Sequence, residues 1–168
     1  MLTIVHLALG AFDVRLICSD VDGTLLTPQH RPTDYTVRTV LRAMDTVPFV
    51  ACTGRGRAGA YSALGRIGDA LRERGSPGVF LNGLITYGAG GEQVLSEETV
   101  PADVALSVAE FAARHGAAMV GFQRDRIICD VKSEWTALFP AIYEPEPQPM
   151  GKCSGLTLPG CPQHPAAH

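Results

Sequence analysis

Lysine is nearly absent: Lys132 and Lys152 are the only two in 168 residues, no Lys/Arg-rich run exists, and the formal net charge is -3. A nucleic-acid binder would usually present a basic face, so the charge argues against that class. Paired cysteines are lacking too. Cys18, Cys52, Cys129, Cys153 and Cys161 are odd in number, scattered, and form no C-x-x-C, which argues against a zinc site or a disulfide framework. Cys18 and Cys52 lie in apolar runs and read as small buried thiols, and a reducing, cytoplasmic setting fits best. No stretch is long enough to span a bilayer. The apolar Met1 to Phe12 has no positively charged flank, so it reads as an extra strand or a loose extension rather than a signal segment. Absence of G-x-G-x-x-G after the first strand excludes a dinucleotide-binding enzyme. There are no internal repeats.

The remaining composition, 46% hydrophobic and 18% charged, is that of a soluble globular chain. Val14 to Asp20 is apolar and rich in β-branched residues, a pattern that predicts a buried strand. Thr33 or Asp34 can cap a helix running to about Met44, with Val37, Val40, Leu41 and Met44 on one face. Pro48 to Cys52 reads as a second buried strand, Ala58 to Arg74 as one helix stopped by Gly75, and Val79 to Leu81 as a third strand. Strand, helix, strand, helix, strand is the order of a parallel sheet with crossover helices. Ligands bind outside the carboxyl ends of such strands, where Asp20, Thr53 and Asn82 fall.

From about Ile85 the pattern changes. Ile85 to Tyr87 and Gln93 to Leu95 predict a hairpin around Gly88 to Gly91. Pro101 opens a helix with Val104, Val108 and Phe111 inward, ending at Gly116. Two strands follow, Ala117 to Phe122 and Arg126 to Val131, and Trp135 with Phe139 reads as core. A domain boundary is expected near Glu97 to Thr99. After Phe139 the chain is dominated by Pro, Gly and small residues, and residues 148–168 are expected to form a disordered tail.

Chemistry concentrates in Asp20-Val21-Asp22-Gly23-Thr24-Leu25. A carboxylate can attack a phosphoryl group and form an aspartyl phosphate. A second carboxylate two positions along an extended segment faces the same way and can move the proton of the leaving group and of the attacking water. Gly23 permits a sharp turn. Thr53-Gly54-Arg55, at a strand-to-helix turn, offers a hydroxyl and backbone N–H groups as a phosphate cradle, although a helix-capping threonine would leave the same trace. Asn82-Gly83 stands at a third strand end, and an ordinary turn would explain it as well. Arg124 and Arg126 read as solvated charges near a hairpin turn, and His30 as a surface-loop histidine.

Asp20 to Leu25 matches the D-x-D-G-T-[LV] signature of the haloacid dehalogenase (HAD) superfamily without a gap. Thr53-Gly54-Arg55 and Asn82-Gly83 resemble the corresponding elements of its Cof-like branch, and Thr99 to Tyr143 resembles the opening of its type-IIB cap. The resemblance implies a Rossmann-like parallel sheet over residues 1–98 and a partial α+β cap over 99–147. It implies a phosphatase of small phosphorylated metabolites, such as sugar phosphates. Asp20 would be the nucleophile, Asp22 the general acid/base and Thr24 loop support. Mg²⁺ would be held by the Asp20 carboxylate and the Asp22 carbonyl, and phosphate or substrate by Thr53, Gly54, Arg55, Asn82 and Gly83. A phosphomannomutase-like transfer is a neighbouring possibility.

Two elements of the family pattern are missing: the lysine that neutralises nucleophile and phosphate, and a later Gly-Asp-x-x-Asn-Asp that completes the Mg²⁺ shell. The resemblance, over about residues 14–147, corresponds to the first half of a typical member. The expected architecture is therefore a partial sheet with an incomplete cap, the Asp20 strand lying at an exposed edge that permits self-association. The competing reading is a truncated remnant that binds a phosphometabolite or a partner without turnover.

Overall fold

A computed structural model describes residues 13–150, which divide into two compact units. The Met1 to Phe12 segment and the expected tail from residue 151 onward, with Lys152, Cys153 and Cys161, lie outside the described residues.

The first unit contains the described residues up to Glu98 together with Ile142–Glu144. Its five-stranded sheet has the order β1 (Ile17–Ser19), β2 (Phe49–Cys52), β3 (Gly78–Phe80), β4 (Ile85–Tyr87) and β5 (Val94–Glu97). β1, β2 and β3 run parallel, with Ser19 opposite Ala51 and Cys52 opposite Val79. β4 and β5 are antiparallel, as the hairpin pattern predicts. The first crossover is α1 (Asp34–Met44), whose Thr33 hydroxyl accepts from the Thr36 N–H at 3.1 Å, a standard N-cap.

The single helix expected over 58–74 is two: α2 (Arg57–Leu64) and α3 (Arg66–Glu73). Gly65 separates them at φ 55° and ψ -123°, a conformation that costs a residue with a Cβ dearly. Apolar periodicity carries straight through this break and so conceals it. At Gly68 an added Cβ would stand 2.1 Å from the Tyr61 carbonyl oxygen, so α3 lies against the α2 backbone at a distance only glycine permits.

One core cluster joins Val37, Val40 and Met44 of α1, Tyr61 and Leu64 of α2, and Ile67 and Leu71 of α3 to Phe49, Phe80, Ile85 and Tyr87 of the strands. Phe80 is fully buried and meets Tyr61 and Tyr87 edge-on at 5.8 and 5.9 Å. Among the described residues β1 is the edge of the sheet, as the resemblance to half of a typical member implies. The buried strand read from its apolar run is not buried: Cys18 is exposed and Leu16 is 52% exposed. A hydrophobic run is silent about whether both faces of its strand are covered.

The second unit contains α4 (Ala102–His115) and a sheet of order β6 (Val120–Gln123), β7 (Arg126–Cys129) and β8 (Gln148–Pro149). Three expectations fail here. Val104, Val108 and Phe111 are exposed, Phe111 by 56%, while Ala109 and Ala112 are buried. α4 carries two stripes at helical spacing, and the smaller side chains take the inside. Trp135 is 64% exposed rather than core, whereas Thr136 is buried and bonds reciprocally with Ser133. Gln148 and Pro149, assigned to the disordered tail by composition, pair with Ile128 and Cys129, and Pro147 is fully buried. Proline is compatible with a strand at a sheet edge, where its missing N–H leaves no partner wanting. No helix among the described residues is long and apolar enough to cross a membrane.

Candidate active site

Three loops leave the carboxyl ends of β1, β2 and β3 side by side. After β1 the chain turns at once: Leu25 and Leu26 donate backbone N–H groups to the Val21 carbonyl at 3.0 and 3.1 Å, and Gly23 takes φ 72°. Val21 is fully buried between an exposed Asp20 and an exposed Asp22. The apolar anchor thus sits between the two carboxylates and turns both outward. Thr24 Oγ1 lies 3.5 Å from Asp20 Oδ2, a long contact on the nucleophile candidate.

The second and third loops are tied together. Thr53 is buried, its N–H donates to the Val79 carbonyl, and its carbonyl accepts from the Asn82 N–H at 3.2 Å. Leu81 donates to the Arg55 carbonyl at 3.0 Å. Asn82 adopts φ 57° and its side chain stands against Gly54, where an added Cβ would be 2.8 Å from Asn82 Oδ1. The Thr53 hydroxyl accepts from the Arg55 N–H at 3.2 Å and so shapes the turn; the residue that caps α2 is Gly56. Gly83, at φ 93°, completes the turn after Asn82.

Arg55, expected among the phosphate- or substrate-binding residues, has a carboxylate partner in this structure. Its guanidinium grips Asp22 with two parallel bonds, Nε to Oδ2 at 2.7 Å and Nη2 to Oδ1 at 2.8 Å. This fork geometry is the strong form of the arginine–carboxylate pair. Arg55 holds the Asp22 carboxyl below its ordinary pKa, chiefly through these bonds, and Asp22 raises that of Arg55 in return. His30, read as a surface-loop histidine, is 44% exposed and stands 4.0 Å from Asp22. The left-handed backbone of His30, at φ 57°, brings the ring round to the carboxylate.

Arg55 has further partners that sequence reasoning missed. Its Nη1 donates to the Ile142 carbonyl at 2.5 Å and lies 3.7 Å from Glu144 Oε1. The Glu144 side chain is 6% exposed, its Oε2 has no hydrogen-bond partner, and burial pushes its pKa up against the pull of Arg55. Tyr143 packs its ring under Arg31 at 5.3 Å and accepts a hydrogen bond from the same guanidinium. Nothing local signals these contacts, because Glu144 sits in a proline-rich stretch without periodicity, 89 residues after Arg55 by number (144 less 55). Arg124 and Arg126 belong to the second unit, where Arg126 donates to Gln148 at 2.8 Å.

For a hard cation such as Mg²⁺, which binds through one or two protein carboxylates and keeps several waters, the donors are right in kind. Both carboxylate oxygens of Asp22 are engaged by Arg55, which leaves the Asp20 carboxylate and the Asp22 carbonyl. No group of three acidic, histidine or cysteine side chains gathers among the described residues. The Asp20 carboxylate and the Asp22 carbonyl would hold such an ion with water in the remaining positions.

An α/β sheet with a D-x-D loop at the end of its first strand and a Thr-Gly-Arg turn at the end of its second defines a class of hydrolase. The model of the haloacid dehalogenase-like hydrolases matches residues 17–148. The chain belongs to that family. An uncharacterized hydrolase of Schizosaccharomyces pombe is 40% identical over 81 residues, covering 46% of this chain and 26% of that protein. A haloacid dehalogenase-like hydrolase from Bacteroides thetaiotaomicron superposes with a TM-score of 0.73 at 18% identity, over 88% of this chain and 56% of that one. A HAD subclass IIB sugar phosphatase gives a TM-score of 0.64 at 18% identity, over 82% and 53% of the two chains. The chain thus spans about a quarter of the curated hydrolase it matches and about half of the similar structures.

Proposed function

We propose that this chain carries the nucleophile half of a phosphohydrolase site acting on small phosphorylated metabolites. The observation behind this reading is the pair Asp20 and Asp22, both turned outward by a buried Val21, beside the Thr53 and Asn82 turns. An Asp20 oxygen would attack phosphorus, the bond from phosphorus to the leaving oxygen would break, and the phosphoryl group would end on Asp20. Asp22 would give a proton to the leaving oxygen and later take one from the water that opens the aspartyl phosphate. The Arg55 fork favours the carboxylate form of Asp22, which the second step uses. The Gly54 N–H and the Thr53 hydroxyl would supply donors for the phosphoryl oxygens, in a chain with little lysine. Similarity to a sugar phosphatase favours a phosphorylated sugar as substrate, and dependence on Mg²⁺ belongs to the same proposal.

The test is turnover of a generic aryl phosphate, with and without Mg²⁺, by the chain and by Asp20→Asn. Turnover that needs Mg²⁺ and falls by about a thousandfold or more in the variant is the expected result, from loss of the nucleophile. Equal rates in both proteins refute the assignment. A second reading, a phosphometabolite-binding protein without turnover, is favoured by the engagement of both Asp22 oxygens. It predicts inorganic phosphate binding that survives Asp20→Asn, with no turnover in either protein.

A further inference from the structure

We infer that Glu144 is a positioning residue of this site: it fixes Arg55, and through Arg55 the direction in which the Asp22 carboxylate points. The Ile142–Glu144 segment belongs to the first unit, although the chain on either side of it belongs to the second. Arg55 is bracketed. One edge of its guanidinium engages Asp22, and the other meets the Ile142 carbonyl and the Glu144 carboxylate. A planar guanidinium held at both edges cannot rotate without releasing one of them.

Glu144 is seated by shape as well as charge. A Cβ added to Gly59 would fall 2.1 Å from Glu144 Oε2 and 2.4 Å from Oε1. The carboxylate therefore occupies the space that the missing side chain leaves on α2. A buried carboxylate with one unpartnered oxygen is costly, and nothing in packing alone calls for an acid here. Its placement next to Arg55 gives the charge a task. The asymmetry of the two carboxylates fits it: Asp22 is 45% exposed and open to a ligand, whereas Glu144 is enclosed.

Only the effect on turnover rests on the phosphohydrolase reading, so the experiment reads Arg55 directly. The Arg55 Nε–H resonance of the full chain is identified by its loss in Arg55→Lys, and its hydrogen exchange is followed by NMR. Glu144→Gln keeps the shape and removes the charge. Gly59→Ala keeps the charge and displaces the carboxylate, and alanine is the better helix former, so α2 is not put at risk. Each variant should speed exchange by about tenfold or more, as expected when a charged partner is lost. The double variant should do no more than either single one, because both act through one contact.

Exchange unchanged within about twofold in both variants, with circular dichroism intact, would overturn the inference, since that is the scale of ordinary non-additivity. Effects that multiply in the double variant would overturn it as well. Aryl phosphate turnover is measured alongside, and in Glu144→Gln kcat should fall while KM holds. A chain with no turnover at all refutes the phosphohydrolase reading, and the Arg55 signal still decides the role of Glu144.

Discussion

Replacing Arg55 with methionine should destabilise the first unit by about 4 kcal/mol at neutral pH, within the range for breaking one partner out of a buried pair. The Arg55 side chain is 10% exposed, with hydrogen bonds to Asp22 and the Ile142 carbonyl and an ion pair with Glu144. Losing the bond to the Ile142 carbonyl costs about 1.5–3 kcal/mol, the value for a hydrogen bond to a charged group. Asp22 is exposed enough for water to replace most of its bonds, so its share is at most about 1 kcal/mol. The remainder comes from Glu144, left buried without a counter-charge.

That remainder depends on pH. Burial raises the folded-state pKa of Glu144 above its ordinary 4.5, so the folded protein binds this proton more tightly than the unfolded chain does. Stability therefore falls as pH rises through 4.5 and on to the folded value. Without Arg55 the folded pKa climbs further and the fall is steeper. Asp22 behaves oppositely. Its folded pKa lies below the ordinary 3.8, so its share is fully present above that value and lost only beneath it. The cost of Arg55→Met should then be smaller near about pH 4, where the Ile142 share of about 1.5–3 kcal/mol remains, and reach its full size by about pH 8. Urea unfolding followed by circular dichroism at both pH values measures this, and Arg55→Met with Glu144→Met should recover the Glu144 share and remove the pH dependence. A cost below about 1 kcal/mol at about pH 8, or one independent of pH, would refute the buried pair.

Phe80→Ala should lower stability by about 4 kcal/mol, for lost burial, a cavity and two edge-on aromatic contacts, seen as a lower urea midpoint at unchanged slope; a loss under about 1.5 kcal/mol would contradict the core described above. Gly68→Ala should destabilise by about 2 kcal/mol or more despite the better helix propensity of alanine, because the new methyl meets the Tyr61 backbone; a thermal midpoint at or above wild type would show that the two helices part freely.

Much of the fold was legible in the residues because its causes are local. The Thr33 cap, the Gly75 stop and the apolar faces of α1 depend on neighbours within a turn or two. A strand–helix–strand order admits few topologies once crossovers are right-handed, so parallel pairing could be anticipated, and the edge position of β1 followed from a resemblance that covers only the first half of a typical member. Val21 between Asp20 and Asp22 is likewise local: one apolar anchor in a short loop directs its two neighbours to the other side.

Tertiary structure decided what depends on distant partners or on which surfaces are covered. Hydrophobic periodicity names the stripes of α4 but cannot say that the alanines go inside and Phe111 outside. It cannot tell that the run around Cys18 is covered on one face only, or that Trp135 faces solvent. The composition of Thr53-Gly54-Arg55 suggests a cradle for an anion. That the arginine instead clasps Asp22 and is met from behind by Glu144 follows from loop ends converging at the edge of a parallel sheet. By itself the sequence determined the local geometry and the chemistry available to each carboxylate. The packing of remote segments determined which charges meet, because electrostatic pairing depends on distance in space and is blind to distance along the chain.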